Sequence, residues 1–188
     1  INAVGEGRAD AVVSSGNTGA MMAMAKLVLK CLHGIHRPAI ASVFPSVRGD
    51  TIMLDLGANL TCDSELLIQF AVLGSVYARA VKGIHDPSVG LLNVGAEDMK
   101  GHEQLRAAAS VLNDIEFPGR YHGFVEGNDI PEGTTNVVVT DGFTGNVALK
   151  MAEGVGRLTE HYMRQAFQSS FAAKFGGLLA YSAMKRMK

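Results

Sequence analysis

Four times in this chain an apolar run gives way to a short loop in which glycine stands beside or near asparagine, and a helical pattern follows. The loops are Ser14-Ser15-Gly16-Asn17-Thr18-Gly19, Asp55-Leu56-Gly57-Ala58-Asn59, Asn93-Val94-Gly95-Ala96-Glu97 and Asp141-Gly142-Phe143-Thr144-Gly145-Asn146. The apolar runs before them are Ala11-Val12-Val13, Thr51-Ile52-Met53-Leu54, Val89-Gly90-Leu91-Leu92 and Asn136-Val137-Val138-Val139. Near-continuous apolar strands that alternate with helices belong to an α/β fold, because parallel strands are covered on both faces. In such a sheet the loops after the strands meet at one edge, and ligands bind there. Few other arrangements accommodate this pattern.

The remaining segments agree with that frame. Met21 to Cys31 reads as a buried helix capped by Ser15 or Asn17. Ala39 to Phe44 reads as a strand stopped by Pro45, and Leu66 to Val81 as a helix with an acidic first turn. A helix from about His102 to Asn113 and a strand from Tyr121 to Glu126 come next, then a turn at Asp129 to Gly133. The last helix of the core runs to about Phe167. Residues 168–188 read as an amphipathic helical hairpin with its break at Gly176-Gly177, so the division expected is an α/β core over 1–167 and a hairpin over 168–188. The chain starts at Ile1 without Met and ends at Lys188 inside an amphipathic pattern, so an excerpt of a longer protein, with parts of two lobes, is expected.

Composition excludes several classes. Hydrophobic content of 47% with 19% charged residues is that of a globular chain. A net charge of −1 gives no electrostatic case for nucleic acid. The two cysteines, Cys31 and Cys62, form neither a disulfide framework nor a zinc spacing. The six histidines show no metal spacing either, so neither a metal nor a cofactor is expected; His102 alone stands near one of the loops. No run of about 18 uninterrupted apolar residues is present.

One Gly-Asn loop is commonly no more than a helix start; four at strand ends point to a ligand. Glycine lets backbone N–H groups come close, and asparagine offers a donor and an acceptor. The cleft they imply is neutral, rich in donors and suited to a small anion such as phosphate. No Lys-Ser/Thr follows the first loop as a Walker A loop requires, and no Gly-x-Gly-x-x-Gly occurs at these corners. No nucleophile stands out: Ser15 lacks a Gly-x-Ser-x-Gly elbow, and both cysteines sit in apolar surroundings. A bound anion that itself attacks, with donors stabilising the developing oxyanion, fits better. Lys100 and Lys150 are the cations nearest the loops, and Lys100, in a tight turn before Gly101, is the stronger candidate.

Taken together, Ser15 to Ala20, Leu54 to Asn59, Leu91 to Glu97 with Lys100-Gly101, and Asp141 to Lys150 with Glu153-Gly154 resemble the phosphate acyltransferases of bacterial phospholipid synthesis, the PlsX type. The likeness runs through almost the whole chain in order and spacing, although the family's N-terminal Asp-Ala-Met-Gly-Gly-Asp-like stretch and its C-terminal Gly-Gly-Ala-containing segment are absent. It implies a phosphotransacetylase-like fold of the isocitrate/isopropylmalate dehydrogenase type, with two α/β lobes. It also implies transfer of a fatty acyl group from acyl carrier protein (acyl-ACP) to inorganic phosphate, with no covalent enzyme intermediate. On this resemblance Lys100 and Asn146 are the catalytic candidates. Gly16, Asn17, Thr18, Gly19, Asp55, Asn59, Asn93, Glu97, Asp141, Gly142 and Gly145 bind phosphate or shape the cleft.

The resemblance further implies a homodimer, a cytoplasmic location at the membrane surface and a membrane glycerol-3-phosphate acyltransferase as neighbour. Leu178, Leu179, Lys185 and Arg186 are then the contact to an anionic membrane or to the acidic carrier protein. Two other readings stay open: a phosphotransacetylase acting on coenzyme A thioesters, and a non-catalytic scaffold at the membrane surface that keeps a phosphate pocket.

Overall fold

The computed structural model describes residues 1–185. Ile1–Val147 form one compact unit and the residues from Ala148 onward another; the division falls within a long helix and not at residue 167. The first unit holds α1 (Asn2–Gly5), α2 (Thr18–Leu29), β1 (Ala41–Ser46), β2 (Gly49–Leu54), α3 (Ser64–Lys82), β3 (Ser88–Leu92), α4 (Glu103–Asp114), β4 (Arg120–Val125), α5 (Asp129–Glu132), β5 (Val137–Val139) and the start of α6 (Gly142–Gln168). The rest of α6 and α7 (Phe171–Met184) make up the second unit.

The five strands lie in the order β1-β2-β5-β3-β4. β2, β5, β3 and β4 run parallel, and β1 pairs antiparallel with β2. Ile52, Leu54, Val137, Val139, Val89 and Leu91 join one core cluster, while the alternate residues Met53 and Val138 are buried as well. Burial of successive residues is why these strands read as unbroken apolar runs.

Helix α3 packs on β5, β2 and β3, and α4 packs on β4 and on α3. The Asp63 carboxylate caps α3 by accepting the Leu66 N–H at 2.8 Å, and Gly83 ends the helix in the left-handed region at φ 68°. α3 is long and apolar enough to cross a membrane by length and composition. Its apolar face is nonetheless occupied, since Leu66, Leu67, Phe70, Ala71, Gly74, Ser75 and Ala78 are buried against the sheet and α4. At Gly74 the approach is closest, where a Cβ would lie 2.5 Å from Val137 Cγ1.

Four expectations need correction. Ala11-Val12-Val13 is not a strand: it has no sheet partner among the described residues, and Val13 is fully exposed. The Ser14–Gly19 loop therefore does not follow a strand, so three corners of the sheet, and not four, carry the Gly-Asn pattern. α2 is not buried; none of its residues is, because no sheet lies against its apolar surface in this chain. β1 does not stop at Pro45 but runs through it to Ser46 and turns back into β2. A proline without an N–H is accommodated there because β1 is an edge strand.

The fourth correction concerns the C-terminus. α7 passes unbroken through Gly176-Gly177, and the corner lies at Ser169-Ser170. Glycine weakens a helix but does not end one. Gly177 has a packing reason, since a Cβ there would lie 2.9 Å from the Phe167 ring. Arg186, Met187 and Lys188 lie outside the described residues.

Candidate active site

Because β2, β5 and β3 are parallel neighbours, their carboxyl ends lie side by side on one edge. The loops that leave them, 55–59, 141–146 and 93–101, are brought together for that reason. A pocket of about 470 Å³ opens among the last two. Asn93, Val94, Gly101, His102, Thr140, Asp141 and Thr144 supply its polar and backbone walls, and Cys62, Leu67, Leu92 and Leu105 its apolar side.

Asp55 holds this edge in place. Its side chain is fully buried and accepts five hydrogen bonds. Oδ1 takes the N–H groups of Ile40 (2.9 Å), Gly57 (3.2 Å) and Ala58 (3.0 Å). Oδ2 takes the Asn59 N–H at 2.6 Å and its Nδ2 at 2.8 Å. A buried carboxylate surrounded by donors is satisfied internally and organises the loop. Asn59 is also buried; its Nδ2 donates to the Pro38 carbonyl at 2.9 Å, and its own carbonyl accepts the Gly142 N–H at 2.7 Å.

The α6 corner is locked onto that loop through its glycines. A Cβ on Gly142 would lie 2.5 Å from the Asn59 carbonyl oxygen, and one on Gly145 would run into the Asp55 carbonyl oxygen. Asp141 caps the helix: Oδ1 accepts the Thr144 N–H at 2.9 Å and Oδ2 the Thr144 hydroxyl at 2.8 Å. The Gly145 N–H goes to the Asp141 carbonyl at 2.9 Å. Of the first four N–H groups of α6, only that of Phe143 has no hydrogen-bond acceptor among the described residues. Asn146 is exposed and stands beside Gly57, whose Cβ would meet its side chain at 3.6 Å.

The β3 loop contributes an unmet donor. Asn93 Oδ1 accepts the Val94 N–H at 2.8 Å, while its buried Nδ2 has no acceptor among the described residues. A buried donor left unmade costs about 1–3 kcal/mol, which an arriving acceptor can recover. His102 caps α4: Nδ1 accepts the Leu105 N–H at 3.3 Å, which leaves the proton of a neutral ring on Nε2 as a second donor. Glu97 and Lys100 are exposed, and both side chains fold across Gly95, where a Cβ would meet Glu97 Oε2 at 2.6 Å and Lys100 Cγ at 3.2 Å. Neither lines the pocket.

Cys62 faces the same pocket as a protonated thiol. Burial, then the charges of Asp55 and Asp141, push its pKa up to about 12. Among the described residues no three His, Cys, Asp or Glu side chains come together as a metal site.

The first Gly-Asn loop lies elsewhere. Asn17 caps α2 by accepting the Ala20 N–H at 3.0 Å, and Gly16 donates to Ser14 Oγ at 3.1 Å. Gly16, Asn17, Thr18 and Gly19 are exposed, and of them Gly19 lines a separate cavity of about 200 Å³ that also includes Ala58 and Asn59. Of the pocket's walls, Thr140, Thr144 and Cys62 escaped the sequence argument. Thr144 had a signal, the three-residue spacing from Asp141 that marks a cap. Leu178, Leu179 and Lys185 are exposed in the second unit.

The family model of fatty acid synthesis proteins matches residues 1–188. The chain belongs to that family. Curated relatives named phosphate acyltransferase, from Paramagnetospirillum magneticum and Rhodospirillum centenum, are 57% and 56% identical over all 188 residues. These alignments cover 54% and 53% of the relatives, so the chain spans about half the length of the curated relatives it matches. Among solved structures, a EutD phosphotransacetylase from Staphylococcus aureus is similar in fold, with a TM-score of 0.61 at 20% identity over 82% of this chain and 53% of that one. The mostly parallel α/β sheet with flanking helices is thus a fold that both proteins share.

Proposed function

We propose that this chain carries the phosphate side of the active site of an acyltransferase. It moves a long-chain fatty acyl group from an acyl carrier protein thioester to inorganic phosphate, forming acyl phosphate for phospholipid synthesis. The observation that carries this reading is the pocket at the edge of β2, β5 and β3, where the unmet Asn93 Nδ2 donor stands beside His102 and where the lining thiol, Cys62, is held protonated. The name that the curated relatives carry, phosphate acyltransferase, supports it.

In this reading a phosphate oxygen attacks the thioester carbonyl carbon. The C–O bond forms, the C–S bond breaks, and the carrier leaves as a thiol once its sulfur takes a proton. Phosphate near neutral pH is already partly dianionic, so no strong base is needed. Asn93 Nδ2 and His102 Nε2–H orient the anion, and Asn146, which stands beside Gly57, approaches it from the α6 corner. Lys100 swings from Gly95 to neutralise the phosphate or the oxyanion. Cys62, held as a thiol, forms no acyl-enzyme.

One assay decides the class: thioester consumption from palmitoyl-acyl carrier protein by the full-length protein, with and without phosphate. Phosphate-dependent release of acyl phosphate supports the reading. Activity with acetyl-coenzyme A alone replaces it with a phosphotransacetylase, and no activity from folded protein leaves a scaffold. Lys100→Ala removes a charge worth about 3–4 kcal/mol at the transition state, so turnover falls about 100- to 1000-fold. Normal turnover would take Lys100 out of the site.

We further infer a homodimer on the cytoplasmic membrane surface, supplying a membrane glycerol-3-phosphate acyltransferase. Exposed Phe171, Phe175, Leu178 and Leu179 of α7, interleaved with Lys174 and followed by Lys185, suit an anionic bilayer. Met151, Val155, Leu158 and Tyr162, exposed at i, i+4, i+7 and i+11 of α6, suit a second copy. Full-length protein carrying Leu178→Glu and Leu179→Glu should stop sedimenting with phosphatidylglycerol vesicles; undiminished sedimentation refutes the membrane contact.

A further inference from the structure

The cavity of about 200 Å³ shares no lining residue with the larger pocket, yet Asn59 links the two. Asn59 lines the small cavity, and its carbonyl accepts the Gly142 N–H at the corner that walls the large one. Two cations, Lys26 from α2 and Arg37 from the segment before β1, line the small cavity, and no carboxylate does. Neither cation is ion-paired among the described residues.

The segment that presents Arg37 is fastened on both sides. The His36 N–H donates to Gln69 Oε1 at 2.9 Å, the Pro38 carbonyl accepts Asn59 Nδ2 at 2.9 Å, and the Ile40 N–H donates to Asp55 Oδ1 at 2.9 Å. Lys26 stands on a helix capped by Asn17. Two like charges brought to one small cavity without a counter-charge repel each other unless an anion joins them. Arginine on a fastened segment, with a lysine across the same cavity, suits a phosphate group.

We propose that Lys26 and Arg37 receive the phosphate-ester anion on the carrier arm of the thioester donor, at a site separate from that of the attacking phosphate. This rests on the acyl-transfer reading above, in which the donor's thiol arm ends in a phosphate ester remote from the reacting carbonyl. The ester is chemically shared by the phosphopantetheinyl serine of a carrier protein and by coenzyme A.

The test uses the full-length protein and its K26Q, R37Q and K26Q/R37Q variants, which keep exposed polar side chains and so leave the fold unstressed. Calorimetric titration with 4′-phosphopantetheine, pantetheine and inorganic phosphate reads the site directly. Wild type should bind 4′-phosphopantetheine about 10-fold or more tighter than pantetheine, the double variant should lose that preference, and affinity for inorganic phosphate should be unchanged. In turnover, KM for the thioester should rise about tenfold for each charge removed, with kcat and the KM for phosphate little changed.

Equal binding of phosphopantetheine and pantetheine overturns the proposal, as does a preference that survives in K26Q/R37Q. Loss of inorganic phosphate binding alone also overturns it, by making this the acceptor site. Palmitoyl-acyl carrier protein and palmitoyl-coenzyme A, run side by side, separate the two sources: a KM shift with either supports the ester site and shows which arm it reads, and a shift with neither refutes it. Should wild type consume no thioester, the acyl-transfer reading falls, while the titrations still judge the pocket.

Discussion

Gly145→Ala adds one methyl group to α6, and its cost follows from what that methyl meets. The new Cβ would run into the Asp55 carbonyl oxygen and lie 2.9 Å from Thr140 Cγ2 and 3.0 Å from the Asp55 carbonyl carbon. Two of these three neighbours are backbone, in a loop pinned by five hydrogen bonds to the Asp55 carboxylate. They cannot turn aside as a side-chain tip can. Either α6 backs away from β2, breaking the Gly142–Asn59 hydrogen bond, or the loop distorts. Overpacking of this kind costs about 1–3 kcal/mol, and loss of a buried hydrogen bond adds about 1 kcal/mol, so roughly 3 kcal/mol or more is expected. A Cβ on Gly154 or Gly156 of the same helix would meet nothing within 4 Å among the described residues. There the same change should stabilise by about 0.5–1 kcal/mol, because alanine is the better helix former. Urea denaturation followed by circular dichroism measures all three variants. If Gly145→Ala lies within about 0.5 kcal/mol of wild type, the close approach of α6 to the Asp55 loop is wrong.

Two further changes probe the same edge. Asp55→Asn turns an acceptor toward five donors into one that is half donor. It should destabilise the fold by about 3–5 kcal/mol in urea, and a loss under 1 kcal/mol would refute the buried-acceptor account. Cys62 has its pKa raised in the folded state, chiefly by burial and then by Asp55 and Asp141, to about 12. The stability linked to its neutral thiol is therefore intact below the unfolded thiol's pKa of 9.0 and is lost progressively as pH rises from there to about 12. Native protein should show no iodoacetamide labelling of Cys62 at pH 8 by peptide mass mapping, and labelling at the rate of the urea-unfolded chain would contradict it.

The corners after β2, β3 and β5 were legible because local chemistry dictates them. An unbroken apolar run needs cover on both faces, and Asp141 three residues before Thr144 is a cap wherever it occurs. Ala11-Val12-Val13 has the same apolar composition and forms no strand, since a strand exists only through a hydrogen-bonded neighbour and the described residues place none there. Pro45 stopped the strand on paper and not in the sheet, because an edge position asks for no N–H in its place. Gly176-Gly177 read as a break for want of knowing that Phe167 lies against Gly177.

The candidate site divides along the same line. Asn93, Asp141, Gly142 and Gly145 could be named from their loops, since glycine and asparagine at a strand end speak for themselves. That Lys100 folds over Gly95 and leaves the pocket wall to His102 and Thr144 could not, because a side chain's direction is set by neighbours from other elements. Nor could the meeting of Lys26 and Arg37 in one cavity, since they lie on separate segments, of which that of Arg37 is held to the 55–59 loop by Asp55 and Asn59. The chain's order of residues thus determined the alternation of strands and helices and the caps, through backbone preferences that act within a few positions. Tertiary structure alone decided which loops share a pocket, because that depends on the order β1-β2-β5-β3-β4, which places β5, last in the chain, between β2 and β3.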